Sequence, residues 1–95
     1  LKLESPKKVL VFHRNDNVAV ALTDLKRGQE VEVEVNGEKL KITLLNDIPF
    51  GHKFAIRDIP EGREVIKYGE VIGISSKFIK TGEHVHVHNV KSVKV

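Results

Sequence analysis

The amino-acid sequence predicts an all-β fold built from short strands and tight turns. Three observations lead there. Apolar residues recur with a period of two, an Asn-Gly dipeptide separates two alternating runs, and a glycine-containing turn pattern occurs three times. The 95 residues are enough for one domain, expected to span 1–95 with residues 1–6 as a ragged N-terminus.

The first predicted strand is Lys8 to His13, alternating around Val9 and Val11, and the second is Asn17 to Leu22. Glu30 to Val35 reads Glu-Val-Glu-Val-Glu-Val, the pattern of a strand with one face buried. Asn36-Gly37 follows, and both positions of a type I′ turn require positive φ. That turn sets a register. Val33 faces Leu40 and Val31 faces Ile42, while Glu34 faces Lys39 and Glu32 faces Lys41. Further strands are expected at Lys53 to Arg57, Glu64 to Lys67, Val71 to Ile74 and His84 to Val90, with Val93 and Val95 closing the sheet. No segment holds a helical period over three turns, although residues 45–48 allow a single turn of helix.

The repeated pattern runs Asp24-Leu25-Lys26-Arg27-Gly28 before Val31, Asp58-Ile59-Pro60-Glu61-Gly62 before Val65, and Phe78-Ile79-Lys80-Thr81-Gly82 before Val85. Each copy is a tight turn whose glycine supplies positive φ and leads into a strand. The uneven spacing excludes a solenoid.

Composition narrows the function. The net charge is +3, with 16 basic and 13 acidic residues interspersed, and there are only four Phe and one Tyr. Neither a basic stripe nor a set of stacking aromatics is present, so nucleic acid is not an expected partner. The apolar runs are too short for a membrane-spanning helix or a secretory signal. Cysteine is absent, which excludes disulfides and thiolate metal sites and fits a reducing cytoplasm.

The histidines carry the chemistry. In a strand, His84, His86 and His88 share one face while Val85 and Val87 point to the core. Same-face neighbours lie about 7 Å apart. Two imidazoles can then reach one cation, with the third in an outer shell; the alternative is a solvated edge strand. His86 and His88 are the preferred metal pair and His84 the spectator. His52, after Gly51, is a candidate acid or base near neutral pH. Lys53 and Lys67 are candidate partners for a substrate carboxylate. His13, followed by Asp16 and Asn17, is a candidate substrate contact, although residues 15–17 also read as ordinary turn chemistry.

Several of these residues fall in a family pattern. His13, Asp16 to Leu22, Gly51-His52-Lys53-Phe54-Ala55, Val65-Ile66-Lys67-Tyr68-Gly69, Ile72-Gly73 and Gly82 to Asn89 appear in order. Together, over roughly Val9 to Val90, they resemble the N-terminal SAF-type domain of altronate dehydratase and the small subunit of sulfolactate sulfo-lyase. The resemblance implies a β-clip and a lyase active site completed by a large catalytic subunit or domain. It also implies a sugar-acid substrate and a divalent metal, commonly iron or manganese. The reaction implied is removal of water from an aldonic acid, with His52 as the catalytic acid–base group. A sulfo-lyase small subunit and a non-catalytic carbohydrate-binding or assembly module are the competing readings. A homo-oligomer is compatible with all of them.

Overall fold

The computed structural model describes residues 7–92. It is all-β. Nine strands follow in chain order: β1 (Val9–Leu10), β2 (Val18–Ala21), β3 (Glu30–Val35), β4 (Glu38–Thr43), β5 (Lys53–Ala55), β6 (Glu64–Lys67), β7 (Glu70–Ser75), β8 (His84–Val85) and β9 (Val90–Ser92). Among the described residues there is no helix. Residues 45–48 form a bend, because Leu45 donates its N–H to the Gly82 carbonyl and Ile48 exchanges both backbone bonds with Leu25. The strand contribution expected from Val93 and Val95 lies outside the described residues.

The strands form three layers. The central sheet has the order β1-β2-β5-β8, all antiparallel. The β3–β4 hairpin covers one face of it and the β6-β7-β9 sheet the other. Alternation along β2 explains why all four of its residues are buried. Ala19 and Ala21, with Phe54 of β5, pack against Val31, Val33, Val35 and Ile42 of the hairpin. Val18 and Ala55 pack the other way, against Val65, with Ile59, Ile79 and Val85. A strand buried on both faces holds two small cores together.

The hairpin has the register that its sequence pattern demands. Val31 pairs with Ile42, Glu32 with Lys41, Val33 with Leu40 and Glu34 with Lys39. Asn36 and Gly37 both take positive φ, at 50° and 80°. A second two-residue turn joins β6 to β7, where Tyr68 (φ 58°) and Gly69 (φ 71°) lie between the paired Lys67 and Glu70. A bulky aromatic in this left-handed region is costly. Stacking of the Tyr68 ring on Phe12, centroids 4.0 Å apart, offsets the cost.

The repeated turns interlock in pairs, and there are four of them. The fourth is Asp47-Ile48-Pro49-Phe50-Gly51, with Phe54 in place of the valine. Leu25 bridges Ile48, and Ile59 bridges Ile79. The glycine N–H of each copy donates across to its partner segment: Gly28 to Leu44, Gly51 to Ala21, Gly62 to Ser75 and Gly82 to Ala55. Asp24 accepts the Phe50 N–H, and Asp47 accepts the Arg27 N–H in return. Two clasps of similar construction therefore hold the loops at the ends of the central sheet.

β1 is shorter than its alternation suggests because Asp16 turns the chain away. The Asp16 carboxylate is fully buried and accepts three backbone N–H groups, from Phe12, His13 and Gly69. Asn17 adds two bonds to β6, accepting from Ile66 and donating to the Glu64 carbonyl. These side chains tie the first loop to the β6–β7 turn.

Candidate functional site

The expected strand from His84 to Val90 ends at Val85. Residues 86–89 form a turn, and Val87, expected in the core, is 82% exposed. Asn89 is the reason. Its side chain is fully buried, with Oδ1 accepting the His86 N–H at 2.9 Å and Nδ2 donating to the His84 carbonyl at 2.8 Å. A side chain that bonds nearby backbone in this way competes with continued strand pairing. The His84 N–H, which also faces away from β5, donates to Asn46 Oδ1 at 2.9 Å. Two asparagines thus satisfy both outward backbone groups of one histidine.

The turn gathers the imidazoles more tightly than a strand would. His52 enters β5 beside Phe54, and Phe54 pairs with His84, so His52 and His84 meet on one side of the central sheet. His52 Nδ1 lies 2.9 Å from His84 Nε2. The His86 ring stacks 4.6 Å from that of His52 and 5.5 Å from that of His84. One donor atom from each of His52, His84 and His86 lies within 4.8 Å of the others. His88 approaches His84, with centroids 5.4 Å apart, but is outside this trio. The geometry that favoured His86 with His88 over His84 assumed one straight strand, and that strand is absent.

Lys53 lies beside the imidazoles, and Lys67 lies beside Lys53. Lys53 is half-buried; burial first, and then the Lys67 charge, pull its ammonium below the ordinary lysine value. Lys67 Nζ lies 5.0 Å from the Tyr68 ring centroid and 5.8 Å from that of Phe12. His13 stands slightly apart, with its exposed ring against Gly69 and its Nδ1 accepting the Asn15 N–H. Among the described residues no carboxylate lies within 4.0 Å of a nitrogen of these histidines and lysines; the ion pair found is Lys39 with Glu32, on the hairpin. A concavity of about 610 Å³ between β1 and β3 is lined by lysines and glutamates, the Lys39–Glu32 pair among them, and holds no imidazole.

Burial lowers the His84 pKa to about 4, assisted by the charges of His52, His88, His86 and Lys53. His86 is shifted down as well, by desolvation and then by His52, Lys53 and His88. His84 is therefore neutral at neutral pH. Only one of the two nitrogens facing each other in the His52–His84 contact then carries a proton. Where both rings are neutral, the ring that donates keeps a bare outer nitrogen and the ring that accepts exposes an outer N–H.

The shift also carries a stability prediction. Between pH 6.5 and about 4 the unfolded chain takes up a proton at His84 that the folded chain refuses. Stability is held above that window and falls as the pH drops through it. Thermal melts should show Tm declining from pH 6.5 to 4, with a shallower decline in His84→Gln. Equal slopes in both proteins would contradict the assignment.

Sequence reasoning missed Asn46 and Asn89, which bond the backbone of His84 and His86 and leave the imidazoles untouched. Asn89 does carry a local signal, as an asparagine three residues after His86. Asn46 carries none, since it is 38 residues from the group it holds.

Fold and site define a small β module that presents clustered imidazoles beside lysines, with no carboxylate among the described residues within 4.0 Å of their nitrogens. Comparison with known proteins makes the assignment specific. The model for the altronate/galactarate dehydratase SAF domain matches residues 7–93. The chain belongs to that family. It is 49% identical over 81 residues to altronate dehydratase of Escherichia coli K12, covering 85% of this chain and 16% of that protein. It is 38% identical to altronate dehydratase of Bacillus subtilis 168, covering 90% of this chain and again 16% of the relative. Against (2R)-sulfolactate sulfo-lyase subunit alpha of Chromohalobacter salexigens, identity is 53%, over 87% of this chain and 92% of that subunit. The chain thus spans about a sixth of the altronate dehydratases it matches and nearly all of a protein named as a subunit. These relatives are lyases, and the SAF domain is only part of the larger ones. Among the described residues no helix is long and apolar enough to cross a membrane.

Proposed function

We propose that the chain is the SAF-type part of a sugar-acid lyase of the altronate dehydratase kind, forming one wall of an active site that a larger polypeptide completes. The observation that carries this reading is the convergence of His52, His84 and His86 beside Lys53, itself next to Lys67, with no carboxylate among the described residues within 4.0 Å of their nitrogens. Names of the relatives support the reaction class, and their greater length supports the need for a second part.

The donor set fits a divalent cation such as iron or manganese. His84, held neutral, and His86 would hold it, leaving oxygen ligands to come from elsewhere, as a mixed nitrogen and oxygen site requires. When bound, such an ion polarises carboxylate and hydroxyl oxygens. Lys53 and Lys67 hold the substrate carboxylate with their two unpaired charges. His52 moves the proton. With the shared proton donated to His84, the free outer nitrogen of His52 takes the proton from the carbon next to the carboxylate, and a donor on the larger polypeptide protonates the departing hydroxyl, which leaves as water. His13 contributes at the rim, beside the β6–β7 turn.

A second reading, as the small subunit of a sulfolactate sulfo-lyase, is favoured by the match over 92% of such a subunit. One experiment addresses both. The chain is combined with the larger lyase polypeptide, and formation of a 2-keto-3-deoxy acid from altronate and release of sulfite from sulfolactate are measured. Altronate turnover is expected, with a loss of about 100-fold or more in His52→Ala while assembly is retained. Sulfite release without altronate turnover would select the second reading. A His52→Ala protein with full turnover would leave only the binding or assembly role.

A further inference from the structure

We propose that the end of the molecule bearing the imidazoles is the docking face for the larger lyase polypeptide, and that this partner meets it with carboxylates. The inference rests on the preceding reading, that such a polypeptide completes the site. It adds where contact is made and with what chemistry.

Three large apolar side chains stand in solvent on the three segments that meet at the imidazole cluster. Val87, 82% exposed, lies between His86 and His88. Phe50, 67% exposed, comes two residues before His52. Leu45, 40% exposed, adjoins Asn46, whose side chain holds the His84 backbone. Single exposed apolar residues are ordinary on a protein surface. Three on converging loops that are each fixed by hydrogen bonds are a rim. Val87 rides on the turn held by Asn89, Phe50 on the clasp to Asp24, and Leu45 on the bond to Gly82. Apolar anchors around a polar centre are the usual anatomy of a protein–protein contact.

Charge identifies the occupant. Inside the rim are His52, His84 and His86, with His88 and Lys53 close by and Lys67 beside Lys53, and no carboxylate among the described residues lies within 4.0 Å of their nitrogens. The imidazoles crowd together, with His52 Nδ1 2.9 Å from His84 Nε2 and the His86 ring 4.6 Å from that of His52, and Lys53 lies beside Lys67, so positive charge on this face repels positive charge. Carboxylates from a partner relieve that repulsion and supply oxygen ligands that this face lacks. A second copy of the chain is disfavoured, because it would bring one cationic face against another. The length of the relatives points the same way: about five-sixths of each altronate dehydratase lies outside the part matched here.

The test combines the full chain with the larger lyase polypeptide and measures Kd, hydrogen-exchange protection and salt dependence. Protection is expected at residues 45–52 and 84–89. Phe50→Asp and Val87→Asp should each weaken binding by roughly 30-fold or more, and Lys41→Glu on β4 should not. Both side chains are exposed, so unchanged melting curves verify folding. Binding should weaken as salt rises, because the contact pairs opposite charges. Wild-type affinity in both Asp variants overturns the docking face, even if altronate turnover stands. Salt-insensitive binding overturns the carboxylate partner. Self-association through the same residues, without uptake of the larger polypeptide, overturns the occupant. Binding through this face without turnover sustains the docking face and removes the catalytic reading.

Discussion

Gly82→Ala is expected to destabilise the protein by roughly 3 kcal/mol or more, combining a backbone and a packing term. Gly82 sits at φ +90°, where an L side chain costs about 1–2 kcal/mol. A Cβ there would also run into the backbone carbonyl of Thr43, which has no rotamer with which to move aside. Overpacking of this kind adds about 1–3 kcal/mol. Gly82 donates to the Ala55 carbonyl and accepts from Leu45, so it joins the end of the hairpin to the central sheet. Thermal melts should show Tm lower by on the order of 15 °C for a domain of this size. Gly37→Ala is the control. Its φ is +80°, but nothing lies within 4 Å of the added carbon, so only the backbone term of about 1 kcal/mol should appear. Equal losses in the two variants would show that the Thr43 contact carries no weight.

The second large effect is expected at Asn89. Removing its side chain in Asn89→Ala leaves the His86 N–H and the His84 carbonyl without partners and opens a space in a buried position. The stability loss should be about 2–4 kcal/mol, from two hydrogen bonds and the desolvated groups they satisfied. The chemical consequence separates this residue from an ordinary core asparagine. The turn at 86–89 is what brings His86 onto His52 and His84, so nuclear magnetic resonance titration of the imidazoles should show His84 moving up from about 4 towards 6.5. Asn89→Asp keeps the acceptor for His86 but turns a carboxylate oxygen on the His84 carbonyl. It should restore part of the turn and little of the stability. An unchanged His84 titration in Asn89→Ala would separate the turn from the cluster.

Much of the architecture is legible from the chain because local and tertiary preferences agree there. The Glu-Val repeat, the Asn-Gly turn and the lysines of β4 all specify one hairpin register, and Val31, Val33 and Ile42 are buried accordingly. Three of the four clasp turns are visible in the same way. The fourth is obscured because Phe54 replaces the valine that marks the others. Two features required knowledge of the folded state. Tyr68 adopts positive φ because Phe12 lies under its ring. The His84 to Val90 alternation fails as a strand because Asn89 folds back, bonds the His84 and His86 backbone and is buried in the folded protein. The histidines are conspicuous in the sequence, but which three converge depends on that turn, and period two gives no sign of it. Lys53 and Lys67 differ in the same respect: their residue types suggest anion binding, while their proximity follows from the packing of β6 against the central sheet.

The paired clasps have a consequence for synthesis on the ribosome. Ala55 waits for Gly82 and Glu83, Ile59 for Ile79, and Lys53 for Val85, so the middle of the chain meets its C-terminal partners only after roughly twenty to thirty further residues have been made. Early pairing on the N-terminal side falls to the β3–β4 hairpin and β1 with β2, and the central sheet closes late with β8, as pairings distant in sequence generally do. A nascent chain stalled near residue 75 would expose β5 as an unguarded edge, at the stage when chaperone protection matters most.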